Sequence, residues 1–595
     1  MVTILQNNKI IRILRLSKQA FGGYKLQIAI LTILGFISGL LEGIGINALI
    51  PLFAFITGNA DTGSDFISQT IEKLFLFFHI NFSLKYLLIF ISLSFVLKAV
   101  ALILFSYVNI KIITDYEEKT RNKLLQKTLQ ADWLYLLKQK LGHLETTLVI
   151  DIANSATLLK QIGLIIMVLT SLLMYTLVAF NISLVITSAT LVLGGILFLF
   201  FKPFIYQTKI TAQRLVGLNR QIAHYVNENI TGLKTIKSIR AEDTVVKMGR
   251  EYFNKLKKIR VKIFLLKEIT SNLLQPISLI FVCVIFAFSY KLFNFNFASL
   301  LTVIYLTQKV FFYFQQLQIN LHKASEMVPF ARSVLDQEAK IKEHKEITSG
   351  SASFKFYNVL EFRGVNFSYN IERDILSDVS FSIKKGEMLG LIGPSGAGKT
   401  TVVDLILRLL TPTNGAILLD EQNIQQIKIE EWRKNIGYVS QDIFLINDTI
   451  ANNIRFYDKN IADGDIKKAV KMANIDEFIQ NCPDKFNTIV GERGVQLSAG
   501  QRQRIVIARV LARQPKILIL DEATSALDNE SELKIQQVIK NLKGKITVLV
   551  VAHRLSTIIN ADTLLALDKG KIVETGRPQE LLQDTKSYFY RVYNV

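Results

Sequence analysis

Cysteine is almost missing from this 595-residue chain: Cys283 and Cys482 are the only two, and they stand far apart. Neither a disulfide framework nor a cysteine metal cluster can be built from them. Acids are missing from the first 25 residues, whose only charges are Lys9, Arg12, Arg15, Lys18 and Lys25. Positive charge collects on the inner side of a membrane, so that end should be cytoplasmic. No cleavable signal peptide is expected, because the basic start leads into an apolar run longer than a signal's core. A single hydrophobic core is excluded by length, and two or more domains are expected.

What is present is apolar and unevenly spread. Half of the residues are hydrophobic, the mean hydropathy is +0.31, and the long apolar runs lie between residues 26 and 325. Six of them are long enough to cross a bilayer: Leu26–Ile56, Tyr86–Ile110, Ile162–Phe180, Ser183–Phe204, Ile263–Phe293 and Ala298–Leu317. The third and fourth are joined by little more than Asn181-Ile182. The loop after the first carries Asp61, Asp65 and Glu72 against Lys73 alone, which suits the outer side. Lysine and arginine beside spans explain the net charge of +21 better than a nucleic-acid surface does. No nucleic-acid partner is expected.

Between spans, residues 111–160 and 205–262 are charged with helical periodicity. Loops of that length without structure are uncommon, so spans two to five should continue as helices below the membrane, with turns marked by Gly142 and Gly232. Phe66–Phe78 should form a short helix at the outer interface, its stripe of Ile67, Ile71, Leu74, Phe75 and Phe78 against the membrane. Residues 340–357 lose the apolar pattern and read as a linker. From residue 358 short apolar strands alternate with helices. The expected division is a transmembrane domain over 1–339 and a nucleotide-binding domain over 358–595. The fold class is an α-helical six-span domain followed by an α/β P-loop domain.

The nucleotide site is carried by Leu389–Thr401, LGLIGPSGAGKTT. Gly393, four residues, then Gly398-Lys399-Thr400 is a complete phosphate-binding loop, set between an apolar strand and a helix. Glycines let successive N–H groups face one point at a helix N-terminus, which makes an anion nest. Lys399 would reach the β/γ-phosphates of ATP and the Thr400 hydroxyl would hold Mg²⁺. Ile517–Leu520 is a second apolar strand, ending in Asp521-Glu522. An acid at the end of a buried strand needs a cation, and Asp521 facing Mg²⁺ with Glu522 polarising the attacking water meets that need.

Leu497-Ser498-Ala499-Gly500-Gln501 lies between the two, and with it the chain resembles the ATP-binding cassette (ABC) transporters. LSAGQ is similar to their signature, DEATSALD to their Walker B and D-loop, and VAHRLS to their switch histidine, here His553. The resemblance implies roles residue by residue. Glu522, His553 and Gln441 would be catalytic. Thr400, Gln441 and Asp521 would serve the metal. Tyr369 would stack on adenine, and Gly393, Ser395, Gly396, Gly398, Lys399, Thr400 and Thr401 would cradle phosphates. Ser498, Gly500, Gln501 and Asp528 would close on the nucleotide of another cassette. Ala499 stands where most members have glycine, a mild departure. One cassette per chain implies a half-transporter that dimerises. Intact Glu522 and His553 favour a homodimer over pairing with a related half-transporter.

Rival functions lack their residues. A gated channel or receptor would need broken catalytic positions, and a DNA-repair ATPase has no reason to carry six spans. A peptide exporter with its own leader peptidase would need a cysteine before span one. An exporter or flippase in a bacterial inner membrane is the expectation. Leu40-Leu41-Glu42, Gly45 and Pro51 resemble the branch of lipid-linked oligosaccharide flippases of PglK type, which implies an amphipathic substrate. Multidrug or peptide export is the alternative. Glu42 lies inside an apolar run, and Lys98 is its expected partner.

Overall fold

The computed structural model describes residues 21–48, 51–52, 55, 66–77, 79–292, 297–348, 350–370, 373–524, 527–552 and 554–593. The expectations for residues 1–20, for Asp61 and Asp65, for Phe78 and for His553 lie outside them. The chain divides into two compact units. One comprises Met1–Ala131 and Tyr135–Lys345; the other comprises Glu346–Val595 with the short segment Asp132–Leu134.

The first unit is built from helices: α1 (Lys25–Asn47), α2 (Phe66–Phe77), α3 (Leu84–Leu129), α4 (Trp133–Leu137), α5 (Leu141–Thr146), α6 (Ile152–Ile182), α7 (Leu184–Thr231), α8 (Leu233–Ser238), α9 (Glu242–Leu292) and α10 (Phe297–Glu343). Five stretches of them are long and apolar enough to span a membrane among the described residues: Gly22–Ile46, Leu84–Leu129, Gly142–Asn181, Leu184–Thr231 and Glu242–Ala287. With α10 they make a six-span domain. A helix satisfies its own backbone, so its outer face can be wholly apolar in lipid. Leu88, Val96, Val100 and Ile103 of α3 are accordingly exposed. At ~1.5 Å per residue α3 is about 69 Å long, over twice a ~30 Å hydrocarbon core. Its second half, from Lys111, is charged and runs on without a break.

Two turns differ from expectation. Between α6 and α7 the break falls at Ser183 rather than Asn181-Ile182: Ser183 is extended and its side chain accepts the Ile186 N–H, which starts the next helix. Gly142 marks no turn. It lies inside α5, where an added Cβ would come within 2.9 Å of the His224 backbone on α7. Close helix contact requires that glycine, and the turn itself occupies residues 130–140 around α4. Gly232 does end a helix, its N–H donating to Glu228 O at the close of α7.

The stripe on α2 meets protein at two of its positions. Ile71 and Phe75 are buried with Ala48 and Leu87, and Phe75 meets Phe82 and Phe90 edge-on. The helix packs against its neighbours, leaving Leu76 and Phe77 exposed. An apolar stripe is satisfied by protein as readily as by lipid, and periodicity does not distinguish them. Glu42 does meet Lys98, at 2.7 Å.

In the second unit, an antiparallel sheet runs β2 (Arg373–Lys384), β1 (Val359–Asn370), β4 (Asn414–Leu419), β5 (Gln422–Asn423). A larger sheet has the order β10 (Lys571–Gly576), β9 (Thr563–Asp568), β3 (Met388–Ile392), β8 (Thr547–Val551), β7 (Ile517–Asp521), β6 (Ile436–Val439). In it β9, β3, β8, β7 and β6 are parallel. Strands covered on both faces read as continuous apolar runs, and β3, β7 and β8 are buried at every position. Ligands bind beyond the carboxyl ends of such strands. Both Ile392 and Asp521 are carboxyl ends.

Candidate functional site

At the end of β3 the chain turns through Gly393–Gly398 and enters α11 (Lys399–Ile406). Gly393, Gly396 and Gly398 have φ of +150°, +79° and +107°. A Cβ at Gly393 would lie 2.1 Å from Leu567 O, so only glycine fits there. Ser395 and Gly396 are exposed at the tip, and Thr400 is exposed at the head of α11. The Lys399 ammonium folds back over the loop, donating to Gly393 O at 2.8 Å and Pro394 O at 3.0 Å. Burial draws its pKa down, and the charges of Glu522 and Asp521 push it back up. Those acids therefore share its electrostatic neighbourhood. Tyr369 stands half-exposed at the end of β1, its hydroxyl 3.5 Å from Thr401 Oγ1 and its ring edge-on to Phe367.

β7 delivers Asp521, whose Oδ2 accepts the Tyr438 hydroxyl from the adjacent β6 at 3.3 Å. Burial and the Asp521 charge push the Tyr438 phenol well above its usual range, so it remains a donor. Glu522 follows in the left-handed region at φ +50°. Non-glycine residues rarely adopt that conformation, and where they do it is held by surrounding structure: here the Glu522 N–H donates to Val551 O at 2.9 Å. Its carboxylate accepts Gln441 Nε2 at 2.8 Å. Neighbouring parallel strands thus bring together two residues far apart in sequence.

The donor set of the Thr400 hydroxyl, the Asp521 carboxylate and the Gln441 amide is all hard oxygen, which suits Mg²⁺. No group of three His, Cys, Asp or Glu side chains able to hold a metal occurs among the described residues.

Ser498 caps α12 (Ala499–Leu511). Its Oγ accepts the Gln501 N–H at 3.3 Å while Gln501 Oε1 accepts the Ser498 N–H at 2.9 Å, a reciprocal capping box. Gly500 packs on α13 (Asn529–Leu542), where a Cβ would lie 2.2 Å from Ser531 Oγ and 2.4 Å from its Cβ. Rotating the serine cannot relieve that. Gly500→Ala is expected to lower stability by about 1–3 kcal/mol in thermal unfolding, and Ser531→Gly should restore most of it. Ala499 packs against the hydrophobic core, which accounts for the methyl there. Asp528 caps α13 through the Ser531 N–H at 3.1 Å, a bond that lowers its pKa. Ser498, Gln501 and Asp528 thus find their partners in helix caps, whereas Lys399, Asp521, Glu522 and Gln441 converge at the strand ends.

Two contributors have no motif of their own: Tyr438, and Asp404 on α11. Asp404 follows Thr400 by one helical turn, and that i+4 spacing is its one trace in the sequence. Burial and the Asp521 charge push its pKa up to about 6. A carboxyl whose folded pKa exceeds its unfolded value lowers stability as pH rises through that window. Without nucleotide or metal, Asp404→Asn should therefore unfold at a higher temperature than the parent at pH 7. The difference should vanish near pH 4, and a constant difference across pH would contradict the assignment.

Residues 376–525 match the family described as ABC transporter, and residues 28–316 match the ABC transporter transmembrane region. The chain is 31% identical over 474 residues to the heterocyst differentiation ATP-binding protein HepA of Nostoc sp., covering 78% of this chain and 76% of that protein. It is 36% identical over 403 residues to an ATP-dependent lipid A-core flippase of Saccharophagus degradans, covering 67% of each. A solved bacterial Atm1-family ABC exporter with ATP bound superposes with a TM-score of 0.77 at 22% identity, over 97% of this chain and 99% of that one. Similarity that runs through both units, and not through the phosphate-binding loop alone, decides the matter: this chain belongs to the ABC transporter family, as an ATP-driven multi-pass exporter that carries membrane helices and ATPase domain on one polypeptide.

Proposed function

We propose that this chain is one half of a homodimer that flips an amphipathic, lipid-linked substrate of oligosaccharide type across a bacterial inner membrane, with both termini cytoplasmic. The observation that carries the substrate class is the 36% identity to the lipid A-core flippase over two thirds of both chains. The Leu40-Leu41-Glu42 segment supports the same branch. Multidrug export is the second reading, favoured by 34% identity over 391 residues to a multidrug resistance ABC transporter of Lactococcus lactis.

In this reading the glycines of the loop and Lys399 hold the phosphates of ATP, and Tyr369 takes the base. Thr400, Asp521 and Gln441 hold Mg²⁺, which when bound neutralises phosphate charge. Glu522, aimed by its strained backbone and by Gln441, accepts a proton from the attacking water, and His553 assists. The N-terminus of α12, shaped by the Ser498–Gln501 cap, offers the N–H groups that the cap leaves over to the γ-phosphate held by the other protomer. Closure of the two cassettes then moves the turns around α4 and α8, and the membrane helices change between two states.

The test is flipping in proteoliposomes of a fluorescent lipid-linked glycan beside a panel of amphipathic drugs, with ATPase stimulation read in parallel. Glycan-lipid translocation dependent on ATP is expected. Drug transport with an inert glycan lipid would replace this reading by the second.

A further inference from the structure

Among the apolar helices of the membrane unit, the buried carboxylate of Glu42 has more cations beside it than it needs. Glu42 on α1 is 4% exposed. Its Oε1 takes the Lys98 ammonium of α3 at 2.7 Å and lies 3.9 Å from Lys309 Nζ of α10. Tyr313, one turn further along α10, donates its hydroxyl to Oε2 at 2.9 Å. The cluster therefore sets two positive charges against one negative.

Lys309 is the loosely held member. At 3.9 Å it is at the edge of an ion pair, and 30% of its side chain is exposed against 19% for Lys98. Its ammonium lies over the rings of Tyr305 and Phe312, at 5.5 and 5.8 Å from their centres. Structural pairing of Glu42 needs one lysine. A second cation among apolar helices is expensive and by default functional. Lysine is a point-charge partner for phosphate, and a phosphate drawn into the cluster would remove its surplus charge.

Resting on the lipid-linked reading above, we propose that Lys309 binds the phosphate of the lipid substrate, and that Glu42, held throughout by Lys98, occupies Lys309 in its absence. Arrival of the phosphate on Lys309 leaves the Glu42–Lys98 pair intact. The cation that is already loosely bound changes partner, so binding breaks no tight ion pair.

The experiment measures binding of a fluorescent short-chain polyprenyl phosphate and of the matching polyprenol to full-length protein in nanodiscs. The parent protein should prefer the phosphate by about tenfold or more. Lys309→Gln, which removes the surplus cation without orphaning Glu42, should bring the two within about threefold, and Lys309→Arg should restore the preference. Glu42→Gln should bind the phosphate more tightly, with a larger thermal shift on its addition than in the parent. Inorganic pyrophosphate should displace the probe poorly; displacement equal to that by the lipid phosphate would overturn the lipid as the source of the anion. A full phosphate preference in Lys309→Gln overturns the site and leaves the lipid-linked reading standing. Failure of the parent protein to bind either lipid overturns both.

Discussion

Glu522→Gln is expected to bind MgATP as the parent protein does and to hydrolyse it about 10²–10⁴-fold more slowly, the range that a general base contributes. The substitution keeps the shape of the side chain. The phosphate loop, with Lys399 folded over Gly393 and Pro394, is untouched. What is lost is the proton acceptor, an interaction made only as the reaction proceeds, so kcat falls and binding does not. The left-handed φ of Glu522 strengthens the expectation, because a strained residue held by its N–H to Val551 places its carboxylate in a fixed direction. Single-turnover and steady-state ATPase assays on the purified protein measure both quantities. Turnover within a few-fold of the parent would mean that the water is activated by another group.

Two inactive proteins should rescue each other. Lys399→Ala removes the phosphate lysine of one protomer, and Ser498→Arg fills the cap of α12 with a bulky cation in the other. If each nucleotide lies between the loop of one protomer and the capped helix of its partner, each homodimer has two broken sites. A heterodimer concentrates both lesions in one site and leaves the other whole. Its turnover should be roughly half of the parent's if the sites act independently, against near zero for each variant alone. Differently tagged protomers purified through both tags provide the sample. A heterodimer as inactive as the two homodimers would sink the shared-site arrangement.

The capping geometry gives this test its force. Ser498 and Gln501 are bonded to each other and to the helix start, with no phosphate-loop residue among the described partners of either. A helix N-terminus so organised has free N–H groups to offer to an anion.

Much was legible in the residues because it is written locally. A run of apolar residues long enough for a bilayer must become a helix there, since no other open structure satisfies its own backbone. Six such runs determine a membrane domain before any contact is known. The glycines of the phosphate loop take positive φ because they lack a Cβ, and the lysine and threonine that follow start a helix. That chemistry is contiguous, so its spacing is its signature. The alternation of strands with helices after residue 358 is local in the same way, and the resemblance to the ABC transporters was carried by contiguous motifs such as LSAGQ and DEATSALD.

What only the tertiary structure decided depends on residues distant in sequence. Glu522 meets Gln441 because β6 and β7 are neighbours in the sheet, and Tyr438 reaches Asp521 for the same reason. Gly142 looked like a turn and is a contact point between helices. The apolar stripe of α2 looked like a lipid face and partly fills a protein core. Glu42 and Lys98 could be paired by scarcity alone, since each is a rare charge in an apolar run. Lys309 could not be placed beside them, because three helices must first pack before their facing sides are known. Hydrophobic periodicity determines that a helix has a buried side; the neighbour that buries it is chosen by packing across the whole bundle.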